Sequence, residues 1–184
     1  MRWDPTQYTR YADERGRPFV DLVAQIGAEA PRRVVDLGCG PGNLTALLAQ
    51  RWPSATVEGV DSSEEMITTA AGSVDGVAFH VGDVRSWTPG PDVDVIVSNA
   101  TLQWVPDHLP LITSWAAALP ADGWLAFQVP GNFGSPSHVL MRELAESPRW
   151  SATLGGVLRH SDAVAAPEVY ASTLADAGLD IDVW

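Results

Sequence analysis

The apolar run Val34-Val35-Asp36-Leu37 stops abruptly in Gly38-Cys39-Gly40-Pro41-Gly42, and the chain then turns helical from about Asn43. A strand that feeds a helix through three closely spaced glycines fits few architectures. Glycine admits positive φ and removes Cβ atoms, so a ligand can lie directly on the main chain near Gly38 and Gly40. The helix opening at about Asn43 adds free N–H groups and the positive end of its dipole. The segment reads as a nucleotide-cofactor turn. The alternative is a tight strand-to-helix connection that holds no ligand.

Asp61 closes a second predicted strand, Thr56-Val57-Glu58-Gly59-Val60. In a right-handed β-α-β unit that strand end lies beside the first glycine turn, where an acid can accept both hydroxyl hydrogens of a ribose. Dinucleotide enzymes share those two features. Asp36 separates the cases: a carboxylate two residues before the first glycine suits a cofactor with an ammonium group and a sulfonium, and it sits badly beside a pyrophosphate. S-adenosylmethionine is therefore favoured over a nicotinamide cofactor.

Composition narrows the partners. The 184 residues carry a net charge of −12, and all 11 basic residues are arginine. That balance argues against nucleic acid, and the absence of lysine removes Schiff-base and amine-nucleophile chemistry. With 46% hydrophobic residues the chain can bury a full α/β core. No apolar run is long enough to span a bilayer, and Met1-Arg2-Trp3-Asp4-Pro5 lacks a signal-peptide core, so a cytoplasmic protein without a membrane partner is expected. One cysteine, Cys39, excludes an intrachain disulfide and falls short of a metal cluster. A monomer is the expected state. Most of the eight tryptophans are expected in core or lid packing.

The first 28 residues read as two lid helices broken near Gly16-Arg17-Pro18, with Tyr8, Tyr11 and Arg15 on the first. Phe19, Leu22, Val23 and Ile26 form an apolar helical face on the second. Leu44, Leu47 and Leu48 mark the helix after the glycine turn, and Ser62-Ser63-Glu64-Glu65 offers a capping box for the next. Strands follow at 77–83, 93–99 and 123–129, with an Asp107-capped helix between the last two. A helix from Pro167 to Ala177 and a strand over 179–184 close the chain. The alternation predicts a Rossmann-like, doubly wound, mostly parallel α/β sheet in a single domain over 1–184. Residues 30–130 form its cofactor core, and 131–166 an insertion on the ligand-binding edge.

With these segments laid out, residues 30–130 resemble the class I S-adenosylmethionine-dependent methyltransferases. Asp36 to Gly42 resembles the family's first motif, Asp61 its ribose-binding acid, Gly82-Asp83-Val84 its adenine-binding turn and Asn99 the end of its fourth strand. Four further segments resemble members that esterify a small polycarboxylic acid, trans-aconitate. They are Trp3 to Tyr8, Gln50 to Pro53, Ser98 to His108 and His138 to Glu143. The resemblance implies S-adenosylmethionine as cofactor, S-adenosylhomocysteine (SAH) as product and a carboxylate oxygen as acceptor. It also implies a cofactor site of Asp36, Gly38, Gly40, Asn43, Asp61, Ser62, Met66, Asp83, Val84 and Asn99. Family members continue beyond this length with a further antiparallel strand. The chain is accordingly expected to be truncated, with an apolar edge on its fifth strand.

A carboxylate nucleophile is already ionised at neutral pH, so no catalytic base is assigned among His80, His108, His138 and His160. Positioning and desolvation can supply the acceleration. An acidic protein that takes a polycarboxylate needs local arginine, and Arg142, Arg149 and Arg159 lie in or beside the insertion. Arg142, with Gln103 and Trp104, is the expected substrate contact. The competing readings are another carboxylic acid acceptor, a nicotinamide oxidoreductase, and a cofactor-binding fragment without activity.

Overall fold

Val34, Val35 and Leu37 of β1 (Arg33–Leu37) are fully buried, which explains why this strand reads as an apolar run instead of an alternation: both faces are covered. The same holds for β4 (Val93–Asn99), where Val93, Val95, Ile96 and Val97 are buried. The structure, a computed structural model, describes residues 12–158 and 163–184. It divides into two compact units at Gln128 and Val129.

In the first unit α1 (Ala12–Ala24) precedes β1, and α2 (Thr45–Arg51) leads to β2 (Thr56–Asp61). Then come α3 (Glu64–Ser73), β3 (Ala78–Val81) and β4. A short 3-10 turn (Leu102–Trp104), α4 (His108–Ala118) and β5 (Trp124–Gln128) complete the unit. The strands lie in the order β3-β2-β1-β4-β5, and every neighbouring pair is parallel. The direction of winding reverses between β1 and β4, and ligands of open α/β sheets bind at the carboxyl ends beside such a reversal. Register puts the acids there: Asp36 pairs with Gly59 and Val97, so Asp61 and Asn99 each lie two residues farther along the flanking strands.

One side of the sheet is sealed by Phe19, Leu22, Val23 and Ile26 of α1 and its C-terminal extension, packed with Leu48, Trp52, Val57, Val95 and Val97. The expected apolar face of α1 is thus in place. Trp52 and Trp115 are buried and place their indole N–H groups on the carbonyls of Ala28 (2.9 Å) and Trp87 (3.3 Å).

The second unit holds α5 (Pro136–Glu146), α6 (Ser151–Leu154) and α7 (Pro167–Asp176). Proline opens α5 and α7 where its missing N–H costs nothing. Ala145, Tyr170 and Leu174 are buried, and Tyr170 Oη accepts from the Ala165 amide at 3.1 Å.

Several local expectations shift. Among the described residues α1 is unbroken and runs through Gly16 and Pro18. An interior proline forfeits a hydrogen bond and crowds the preceding turn, yet the buried face that begins at Phe19 holds the helix together. Tyr8, Tyr11 and the side chain of Arg15 lie outside the described residues. The cap of α3 is Ser63 rather than Ser62. Its hydroxyl accepts from the Met66 amide, so no glutamate occupies the reciprocal position of a capping box. Asp107 precedes α4 in a left-handed conformation (φ 54°) without a side-chain cap bond. Residues 179–184 form no strand: the five strands among the described residues lie within 33–128, and an alternating pattern makes a strand only where a neighbour completes the ladder. β5 is an edge of the sheet, as expected.

Candidate functional site

The carboxyl ends of β1, β2 and β4 bring Asp36, the glycine turn, Asp61 and Asn99 to one edge of the sheet. Asp36 is 3% exposed, and its Oδ2 accepts from Thr45 Oγ1 at 2.6 Å. Burial pushes its carboxyl up to about 7, Thr45 opposes that shift, and the charge of Asp61 adds to it. Asp61 spans two elements: Oδ2 accepts from the Gly40 amide at 2.9 Å and Oδ1 from the Ser63 amide at 2.8 Å. Its carbonyl takes the Gly82 amide at 2.9 Å, which joins the second strand end to the Gly82-Asp83-Val84 turn.

The three glycines of the turn have different reasons to be glycine. All have positive φ, at 80°, 55° and 80° for Gly38, Gly40 and Gly42. A Cβ on Gly38 would fall 1.9 Å from Thr101 Oγ1, and one on Gly42 would fall 2.7 Å from the Phe79 ring. Those two are required by protein packing. A Cβ on Gly40 would meet none of the described residues within 4 Å, so of the three it is Gly40 that faces open space among them. The amides of Gly38 and Cys39 both donate to Val60 O, at 2.7 and 3.1 Å. What the turn offers a ligand at Gly40 is therefore room. Asn43 is exposed in the turn, and α2 begins at Thr45, two residues later than expected.

Asn99 ends β4, and its Oδ1 is a buried oxygen without a hydrogen-bond partner among the described residues. An acceptor left in that state invites a donor from a ligand. Ala100 follows at φ 53°, a conformation that costs a residue other than glycine and turns the chain so that Thr101 packs on Gly38. Gln103 is buried, with Nε2 on Ala100 O at 2.5 Å, while Trp104 is 43% exposed.

Val84 and Met66 are buried, and Ser62 is exposed. Asp83 faces Arg85, whose Nε donates to both carboxylate oxygens at 3.0 and 2.9 Å, with Nη2 also on Oδ2. The side-chain bond from Arg85, and then its backbone amide, hold the Asp83 carboxyl below the usual range. Arg142 lies in the second unit on α5 and donates from Nη1 to Phe133 O at 2.7 Å. Arg149 stacks on the Trp150 ring, and Arg159 is outside the described residues. Cys39 is buried, and burial with Asp36 and Asp61 nearby pushes its thiol up, so it stays protonated. No group of three metal-ligating side chains occurs among the described residues.

The electrostatics of the sheet are polarised. Its arginines sit at the amino end, where Arg32 pairs with Asp94 and Arg33 with Asp92 and Glu58. At the carboxyl end Asp36 and Asp61 have no ion-pair partner among the described residues. Among the described residues, that edge combines two acids that have hydrogen-bond donors and no cation, open space over Gly40 and an unpartnered acceptor on Asn99. The groups fit a cation with ribose hydroxyls, and a pyrophosphate would face both acids. Sequence reasoning missed Thr45 and Thr101, and also Ser98, whose buried hydroxyl donates to Leu37 O at 2.9 Å and ties β4 to β1.

This strand order, with its glycine turn and acidic second strand end, defines a class I methyltransferase fold. The methyltransferase-domain family matches residues 8–180. The trans-aconitate 2-methyltransferase of Mycobacterium sp. (strain KMS) is 55% identical over 183 residues, covering 99% of this chain and 71% of that protein. The protein of the same name from Rhodococcus jostii (strain RHA1) is 54% identical with the same coverages. Among solved structures, an S-adenosylmethionine-dependent methyltransferase from Mesorhizobium loti is 28% identical at TM-score 0.54, over 60% of this chain and 52% of that one. The plantazolicin methyltransferase in complex with SAH shares the fold at TM-score 0.68 and 14% identity, over 94% of this chain and 67% of that one. The chain belongs to the trans-aconitate 2-methyltransferase family, and it spans 71% of the length of the first two relatives named.

Proposed function

We propose that this chain binds S-adenosylmethionine at the carboxyl ends of β1, β2 and β4, and that the reaction is methylation of a carboxylate oxygen of trans-aconitate. The products are the monomethyl ester and SAH. The observation that carries the cofactor assignment is the combination at one sheet edge of open space at Gly40 with two acids that lack cations. The acceptor assignment rests on the identity of 55% over 99% of the chain to relatives of that name.

When bound, the cofactor supplies an electrophilic methyl group on a sulfonium centre. In this reading Asp36 provides the counter-charge for its ammonium group, and Asp61 accepts from the ribose hydroxyls through lone pairs left beside the Gly40 and Ser63 amides. The main chain at Gly38, Gly40 and Asn43 borders the amino-acid portion. Ser62, Met66, Val84 and Asp83 border the adenosine, and Asn99 Oδ1 takes a ligand donor. Gln103, Trp104 and Arg142 are assigned to the acceptor. No side chain need remove a proton, because the acceptor carboxylate is ionised at neutral pH; the protein orients the two reactants and excludes water. We assign the reaction to the cytoplasm, to a monomer and to no nucleic-acid partner. No helix among the described residues is long and apolar enough to cross a membrane.

Calorimetric titration with SAH tests the cofactor site, and saturable one-site binding is expected. Mass spectrometry of trans-aconitate incubated with the protein and methyl-labelled S-adenosylmethionine tests the acceptor. A labelled monomethyl ester is the expected product, and ester on a different acid from a screened panel would replace trans-aconitate.

A further inference from the structure

Thr45 opens α2 and is fully buried, and its hydroxyl makes a single side-chain bond, to Asp36 Oδ2 at 2.6 Å. Among the described residues it is the only hydrogen-bond donor to that carboxylate. A buried carboxylate needs compensation from charge or hydrogen bonds, and among the described residues one hydroxyl is all that is supplied. The titratable groups that face Asp36 make its charge harder to hold: Asp61 on β2 repels it, and Cys39 in the turn is a neutral thiol. Burial places the Asp36 carboxyl at about 7, and Thr45 is the one influence that lowers it. Without the hydroxyl, the acid form would extend to higher pH.

We propose that Thr45 is a positioning and specificity-determining residue: its hydroxyl favours the carboxylate form of Asp36, so the site selects a ligand that bears an ammonium group, and the fraction of Asp36 still in the acid form gives its proton to solvent when that ligand binds. The inference rests on the cofactor reading above. The ammonium group of the ligand replaces the proton as the partner of the carboxylate, so charge balances without a further ion. Affinity for the ligand then falls about tenfold per pH unit once the pH drops below the titration of free Asp36. Removing the Thr45 hydroxyl moves that fall to higher pH by about one to two units, the worth of one hydrogen bond to a charged group.

The test is calorimetric titration of the whole chain with SAH between about pH 5.5 and 8, in pairs of buffers that differ in heat of ionisation, so that protons released per ligand bound are counted. Wild type, Thr45→Ser, Thr45→Val and Asp36→Asn are compared. The expected result is proton release near neutral pH in wild type, its loss in Asp36→Asn, a profile shifted to higher pH in Thr45→Val, and a wild-type profile in Thr45→Ser. Should Thr45→Val not fold, Thr45→Cys keeps the volume with a weaker donor and is expected to shift the same way. Equal weakening at every pH in Thr45→Val would assign Thr45 a purely structural role and overturn the inference. So would SAH binding by wild type with no proton release, although the cofactor reading would then stand. No SAH binding at any pH by a folded chain would overturn both.

Discussion

Gly38 and Gly40 differ by two positions and share positive φ, yet alanine should act on them in different ways. At Gly38 the new Cβ would lie 1.9 Å from Thr101 Oγ1, 2.5 Å from its Cγ2 and 2.7 Å from its Cβ. Because the Thr101 Cβ itself is too close, no rotamer of Thr101 relieves the contact, and the backbone must move. Overpacking of this kind costs about 1–3 kcal/mol. Left-handed backbone adds about 1–2 kcal/mol for a residue with a Cβ, so Gly38→Ala should lose about 2–5 kcal/mol in urea unfolding. At Gly40 the backbone share remains, at about 1–2 kcal/mol, without a clash. There the methyl group enters the proposed ligand space, and SAH affinity should fall by about tenfold or more, or at least about 1.4 kcal/mol. Adding Thr101→Gly to Gly38→Ala should return the overpacking share. Stability of Gly38→Ala within about 0.5 kcal/mol of wild type would refute the packing argument. Unchanged SAH affinity in Gly40→Ala would refute the placement of the ligand.

The Asp36 carboxyl is raised to about 7, so the folded state keeps its proton in a range where the unfolded chain has lost it. Stability from this group is therefore full at low pH and drains away as pH rises from about 4 to about 7, at up to about 1.4 kcal/mol per unit. Asp36→Asn should gain on wild type in urea unfolding between those limits and hold a constant advantage above them; a difference independent of pH would contradict the assignment. Asp61→Ala strands the Gly40 and Ser63 amides and should cost about 1–3 kcal/mol of stability in the absence of ligand, as well as SAH affinity. Loss of affinity with unchanged unfolding would show that the two amides find other partners. Arg142→Ala should raise KM for trans-aconitate and leave SAH affinity alone. Equal loss of both would reduce Arg142 to the tether on Phe133 O.

The parts of the fold that were legible are those written in local periodicity. The apolar runs of β1 and β4 and the Phe19-Leu22-Val23-Ile26 face follow from spacing alone, and the placement of β2 beside β1 follows from a right-handed β-α-β connection. The acids of the site were legible because strand ends bring them together. Thr45 and Thr101 were not, since their meaning lies in partners 9 and 63 residues away that only the folded turn supplies. The glycines were read as one ligand cradle, whereas packing claims two of them. Asp83 carries a nearer signal: an arginine two residues on, Arg85, is close enough to take the carboxylate locally. The pattern Leu179-Asp180-Ile181-Asp182-Val183 has the alternation of a strand, but pairing is a property of the neighbour, and no strand forms there. Pro18 shows the converse, with a local rule for a helix break overridden by a buried face.

The central claim is that one cationic nucleoside cofactor lies across the carboxyl ends of β1, β2 and β4. It is tested most directly by titrating the isotopically labelled chain with SAH and mapping amide shifts. The account predicts changes concentrated at residues 38–43, 61–66, 82–84 and 98–101. A folded chain whose amides do not shift, or whose shifts gather in the roughly 330 Å³ groove lined by Ala46, Ala49, Gln50, Ser73, Val74 and Asp75, would contradict it.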